Sequence, residues 1–136
     1  MIALKIQESA ENYLETILVL HRRKGMVRSI DIVNELEFSK PSVSVAMKRL
    51  REEGCIEMDH AGYITLTERG NEIATKVYER HELFTEWLTS LGVSPEIAAE
   101  DACRIEHVLS VESFSAIKQH VEKQRSERMA KGGAAE

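Results

Sequence analysis

Between Ser29 and Leu66 the spacing of apolar residues changes period once, and that single change restricts the chain to few folds. Up to Gly54 the apolar positions recur at helical spacing. Beyond it Ile56 and Met58 alternate with Glu57 and Asp59, and Tyr63-Ile64-Thr65-Leu66 mirrors them across His60-Ala61-Gly62. Alternation with a period of two marks half-buried strands, and two such runs around a glycine-bearing turn predict a hairpin. Three helices are expected before it. Residues 8–23 carry Tyr13, Ile17 and Leu20 on one face, with Leu14 and Leu18 beside them, and Lys24-Gly25 ends the run. Ser29 is the expected N-cap of a second helix through Ile32, Val33 and Leu36. After a short turn at Glu37 to Ser39, a third helix has Ser39 as N-cap and Pro41 in its first turn, and buries Val43, Met47 and Leu50. Helix, helix, turn, helix, hairpin is the order of a winged helix-turn-helix.

The remainder reads as helices alone. Thr67 caps a long one with Ile73, Val77, Phe84, Leu88 and Leu91 along a stripe, Gly92 breaks it, and Pro95 opens the next. Ser110 caps a last helix through Phe114, Ile117 and Val121, and the polar, Gly/Ala-rich chain from about Arg125 is expected to fray. The predicted fold is mainly α: a winged helix-turn-helix domain over residues 1–70, an all-helical domain over 71–124 and a frayed tail over 125–136. A length of 136 residues accommodates two such small units.

The third helix has the chemistry of a major-groove reader. Lys40, Ser42, Ser44, Lys48, Arg49 and Arg51 face outward, Ser39 and Pro41 form the leading turn, and His60 tips the wing. Small hydroxyls approach base edges, while the cations behind them suit phosphates. The net charge of −5 runs against this, but it is unevenly spread. Residues 1–70 hold ten Lys and Arg against eleven Asp and Glu, whereas 71–136 hold eight against twelve. Acidity in the second half suits cation binding, and each divalent ion would remove two units of it.

A place for such an ion is visible in Cys103-Arg104-Ile105-Glu106-His107. On a helix, residues three and four apart share a face, so a thiolate, a carboxylate and an imidazole project together. A DNA reader joined to a metal site points to a metal-sensing transcriptional regulator. His21, His60 and His120 lack an acidic or thiol partner at ligand spacing, and Cys55, just after Gly54, reads as core packing.

The chain resembles the diphtheria toxin repressor and manganese transport regulator family of metal-dependent repressors, in its short two-domain form. The resemblance is carried by Ser9-Ala10-Glu11-Asn12-Tyr13-Leu14-Glu15, Lys40 to Leu50, Leu66-Thr67-Glu68-Arg69-Gly70, Arg80-His81-Glu82-Leu83 and Ala102 to Ser110. It implies a C-terminal metal-binding and dimerisation domain, and a homodimer that binds a palindromic double-stranded operator when Fe(II) or Mn(II) is present. The implied metal ligands are Asn12, Glu15, His81, Cys103, Glu106 and His107. Glu106 and His107 match both branches, Cys103 the iron type, and Glu15 and His81 the manganese type. Asn12 matches neither, and the extra ligands of an iron-type ancillary site fall on Thr85 and Ala99. A soft thiolate at Cys103 and an uncharged Asn12 lean the set towards Fe(II) over Mn(II), with Co(II) and Zn(II) as further ions it would accept in vitro.

Other functions have less behind them. No His-Glu-x-x-His pattern, phosphate-cradling glycine loop or nucleophile beside a base points to an enzyme, and no small-molecule substrate is expected. A winged-helix repressor gated by oxidation of Cys103 or Cys55, or by an organic ligand, is the alternative. No apolar run approaches the roughly eighteen residues that span a bilayer. Met1 to Gln7 lack the apolar stretch of a secretory signal, and two cysteines form no disulfide framework, so a cytoplasmic protein with no membrane partner is expected. Phe84, Trp87, Leu88, Leu91, Ile105, Val108 and Leu109 are the expected dimer surface.

Overall fold

The computed structural model describes residues 2–135, and the side chains of residues 7–132. The chain divides into two compact units, Met1–Tyr78 and Glu79–Glu136.

The first unit opens with α1 (Ile2–Lys24), which starts ahead of the expected residue 8 and buries Leu14, Ile17 and Leu20. Gly25, at φ +86°, ends it by donating its N–H to the His21 carbonyl at 2.9 Å. Helix α2 (Ser29–Leu36) is capped by Arg28, not by Ser29 as the sequence predicts. The Arg28 N–H donates to the Asp31 carboxylate at 2.9 Å, so the acid three residues on closes the first turn and the Ser29 hydroxyl is not required for it. Helix α3 (Lys40–Glu52) follows the expected pattern: Ser39 is its N-cap, accepting from the Ser42 N–H at 3.3 Å, and Val43, Met47 and Leu50 are buried.

Strands β1 (Ile56–Met58) and β2 (Ile64–Leu66) pair antiparallel, with Ile56 opposite Leu66 and Met58 opposite Ile64. Ile64 also bridges to Val27, donating its N–H to the Val27 carbonyl at 2.7 Å, which ties the hairpin to the segment before α2. The wing turn is held from inside. One oxygen of Asp59 accepts the N–H groups of Ala61 and Tyr63, each at 2.9 Å, and Arg28 reaches the Ala61 carbonyl while lying over the Tyr63 ring. Helix α4 (Glu68–Ser90) then begins against the hairpin. Gly70 faces the Cys55 backbone so closely that a Cβ there would sit 1.9 Å from its carbonyl oxygen. Ala74 and, at its edge, Ile73 and Tyr78 join the core of this unit, which is why the first unit runs past residue 70 into α4.

The second unit comprises the rest of α4 with α5 (Pro95–Ile105) and α6 (Val111–Ala135). Leu83, Phe84, Ala98, Ala102 and Val121 form its interior, with Phe84 edge-on to Phe114 at 5.9 Å. Glu79 pairs with Lys118, and Glu86 with Arg125. Both ends advance by two helical turns, so α4 and α6 run side by side in the same direction. The Arg125 pair sits where fraying is expected from composition, and α6 continues to Ala135. The reason is local: residues 122–131 are mostly straight-chain helix formers, and the first of the late glycines comes only at 132. Among the described residues no helix is long and apolar enough to cross a membrane.

Candidate metal centre and nucleic-acid interface

The tail of α5 brings together three of the predicted ligands. Ser94 caps this helix and Pro95 starts it, so the eleven residues Pro95–Ile105 form a short rod that buries Ala98 and Ala102. Glu106 is its C-cap and keeps helical angles, at φ −58° and ψ −22°, so the face begun by Cys103 continues through Glu106. The Glu106 side chain turns inward and is only 1% exposed. Its Oε2 lies 3.0 Å from Nδ1 of His81, on α4, and its Oε1 lies 3.3 Å from Nε2 of His107.

A carboxylate buried this deeply needs a positive partner, a proton or a metal. Here His81 hydrogen-bonds one oxygen, while Oε1, with His107 Nε2 at 3.3 Å, has no hydrogen-bond partner among the described residues and is left as a buried acceptor that an ion could satisfy. The same three side chains offer one oxygen and two nitrogen donors, a set suited to Mn(II), Fe(II), Co(II) or Zn(II) and poorly matched to Ca(II), which takes oxygen alone. By the chemistry of their donors, these residues suit a divalent transition-metal ion.

The remaining predicted ligands are placed as follows. Cys103 is half-buried, one turn before Glu106, and forms no disulfide. Asn12 and Glu15 belong to α1 of the first unit. Asn12 is half-buried there, its backbone carbonyl accepting from the Thr16 hydroxyl at 2.8 Å, and Glu15 is buried. Sequence reasoning missed Arg80, which precedes His81 on α4. Its guanidinium donates to the carbonyls of Glu106 and Leu109, at 3.1 and 3.0 Å. Nothing in the local pattern marks that role, because its partners lie 26 and 29 residues away.

On the first unit, α3 shows the two-faced character of a groove reader. Lys40, Pro41, Ser42, Ser44, Lys48, Arg49 and Arg51 are exposed, as are Ser39 and, on the wing, His60. The Ser39 hydroxyl is engaged with Ser42, donating to its Oγ at 2.8 Å, so the leading turn presents both hydroxyls already ordered. Val45 was absent from the sequence-derived set, yet it is 69% exposed and shares a face with Pro41, Ser44 and Lys48. The signal was available: the buried series Val43, Met47, Leu50 leaves position 45 on the opposite side. A solvent-facing valine among hydroxyls and cations is suited to a thymine methyl group.

Burial pushes the Cys55 thiol up from its ordinary range, with Arg69 opposing and Glu53 adding to the effect. At 2% exposure it is core packing, as its place in the sequence predicts.

Comparison with known proteins matches both halves. Residues 5–64 match the N-terminal DNA-binding domain of the iron-dependent repressors, and residues 67–128 match their metal-binding and dimerisation domain. Transcriptional regulator MntR of Escherichia coli is 38% identical over 117 residues, which is 86% of this chain and 76% of the relative. An HTH-type transcriptional regulator of Methanocaldococcus jannaschii is 31% identical over 120 residues, covering 87% of this chain and 96% of that one. Among solved structures, the manganese regulator SloR superposes with a TM-score of 0.74 at 25% identity, over 83% of this chain and 53% of SloR. IdeR of T. acidophilum gives 0.67 at 26% identity, over 81% and 52%. The chain thus spans about half the length of these solved structures.

Proposed function

Because the chain belongs to the iron-dependent repressor family, whose members are transcriptional regulators and not enzymes, we propose that it represses transcription by binding an operator when a divalent ion, Fe(II) or Mn(II), occupies the centre at His81, Glu106 and His107. The observation that carries this reading is the buried Glu106 carboxylate with an imidazole at each oxygen, inside the segment that matches a metal-binding domain.

Cys103 joins these three as a fourth ligand, and Asn12 and Glu15 complete the set from α1; that part rests on the sequence resemblance. The ion supplies a shared positive charge to donors of separate elements. Donors drawn from both units would hold together only in one pose of the DNA-reading unit, so occupancy selects that pose. Lys40, Lys48, Arg49 and Arg51 then meet phosphates, and Ser42, Ser44 and Val45 meet base edges. Each chain carries one recognition helix, so a palindromic site read by a homodimer is the matching partner, with half-sites spaced by about one helical turn. Of the apolar residues expected to form the pairing surface, one is excluded. Phe84 is wholly buried in its own unit and unavailable, whereas Leu91 and Val108 are exposed, together with Ile97, Val111 and Met129.

The lean towards Fe(II) rests on Cys103, since thiolate favours softer ions than Mn(II). The inaccessible Cys55 argues against an oxidation switch at that position. A cytoplasmic setting follows from a DNA target.

The test is operator binding under titration with Fe(II), Mn(II), Co(II) and Zn(II), using duplexes selected from a randomised pool. Tight binding with metal and weak binding after chelation is expected. Equal affinity in both conditions defeats the proposal.

A further inference from the structure

We propose that Arg80 is a positioning residue for the metal centre: it fixes the turn carrying Glu106 and His107 against the helix carrying His81. This rests on the metal reading of those three side chains given above.

Helix α5 stops at Ile105, and the chain must turn before α6 begins at Val111. Carbonyls at such a helix end lack helical donors and need partners from elsewhere. A single nitrogen of Arg80, Nη1, serves two of them, Glu106 at 3.1 Å and Leu109 at 3.0 Å. Those two carbonyls bracket His107. The guanidinium carbon also lies 4.8 Å from the centre of the Phe114 ring, so the plane of the fork is held from α6. Arg80 and His81 are consecutive on α4. One side chain therefore ties the backbone beside one imidazole to the backbone that bears the carboxylate and the other imidazole.

That role differs from general bracing. Ion pairs Glu79–Lys118 and Glu86–Arg125 also join α4 to α6, but they are exposed and touch no candidate ligand. Arg80 alone among these cations contacts the ligand-bearing turn. Outer partners that orient ligands typically change metal affinity by about 10- to 100-fold when removed. Lysine would keep a charge yet lose the planar fork and its stacking.

The experiment compares the full chain with Arg80→Ala, Arg80→Lys, Arg125→Ala and Glu106→Gln. Mn(II) affinity is read from the electron paramagnetic resonance of free Mn(II), Co(II) geometry from its visible absorption at saturation, and folding of the metal-free proteins from circular dichroism. Arg80→Ala should weaken Mn(II) binding about tenfold and alter the Co(II) spectrum, with Arg80→Lys recovering part of the loss. Arg125→Ala should lower thermal stability and leave both metal readouts unchanged. If Arg80→Ala does not fold, Arg80→Lys carries the measurement, and a loss of about threefold supports the role. Affinity within error of the parent in the folded variant overturns it, as does an equal loss in Arg125→Ala. If Glu106→Gln itself binds Mn(II) like the parent, the metal reading fails; if it loses binding while Arg80→Ala does not, only the role of Arg80 fails.

Discussion

Helix α3 and the end of α5 present polar groups in opposite ways. On α3 the hydroxyls and cations stand in solvent, and the face that packs is purely aliphatic: Val43, Met47 and Leu50. At the end of α5 the order is reversed, with the Glu106 carboxylate in the interior while Val108 and Val111 stand outside. An exposed group can be exchanged with little effect on folding, because water solvates either form. A buried carboxylate is tied to its partners, so its loss reaches both the site and the packing. The first arrangement suits a surface that must meet DNA of many sequences and choose among them. The second suits a centre that must hold one kind of ion.

The sharpest way to break this contrast is at Glu106. Glu106→Gln keeps the shape and can still hydrogen-bond His81, so metal-free stability should change by less than about 1 kcal/mol. It removes the charge, and activation of operator binding by metal should fall by more than about 100-fold. Titrating each metal against a labelled duplex checks this. An unchanged response would place the ion elsewhere.

Gly70 tests the other kind of constraint, in which a position admits no side chain at all. Its Cβ would meet the Cys55 carbonyl oxygen at 1.9 Å, backbone against backbone, with no flexible side chain to give way. Gly70→Ala should cost roughly 2–4 kcal/mol in denaturant unfolding, at the upper end of overpacking effects or beyond. A cost below about 0.5 kcal/mol would show that α4 can shift away from the hairpin without penalty.

On α3 the expected effects are functional and smaller. Val45→Ala should lower affinity for a selected operator about three- to tenfold, and replacing the contacted thymine by uracil should cost the parent as much but the variant nothing. Lys48→Ala should weaken binding to all sequences alike and reduce the salt slope by about one. Neither should move the unfolding midpoint, since both side chains are exposed. A stability loss in either would contradict the division between the faces of α3.

These outcomes bear on why one region was more legible than the other. The buried face of α3, the hairpin and the caps at Ser39, Thr67 and Ser110 are local, and period and capping chemistry announce them within a few residues. Glu106 and His107 were visible because helical spacing brings them near Cys103. Their meeting with His81, 25 residues away, came only through family resemblance. The bonding role of Arg80, though the residue lies in a matching stretch, was invisible, since a bond to a backbone carbonyl leaves no pattern in the partner's side chain. Ser29 and the tail illustrate the converse. At the first, Asp31 closes the turn onto Arg28 and not onto a helix capped by Ser29; at the second, helix formers run on before residue 132.

The mildest prediction concerns that cap. Asp31 has its carboxyl held below the usual range, chiefly by the hydrogen bond from the Lys24 ammonium and then by that from the Arg28 N–H. A carboxyl depressed in the folded state stabilises the fold fully above its unfolded value, near 3.9, and that contribution is lost as the pH falls through the folded value. The unfolding free energy of the parent should therefore decline below about pH 4 more steeply than that of Asp31→Asn. At neutral pH the substitution should cost about 1 kcal/mol or less, the scale of a helix-capping contact with a largely exposed lysine as second partner. Urea melts at pH 7 and pH 3 on both proteins decide the matter. Parallel declines would mean that Lys24 and Arg28 hold Asp31 no more tightly in the folded chain than in the unfolded one. Closure of α2 would then rest on packing of Ile32, Val33 and Leu36.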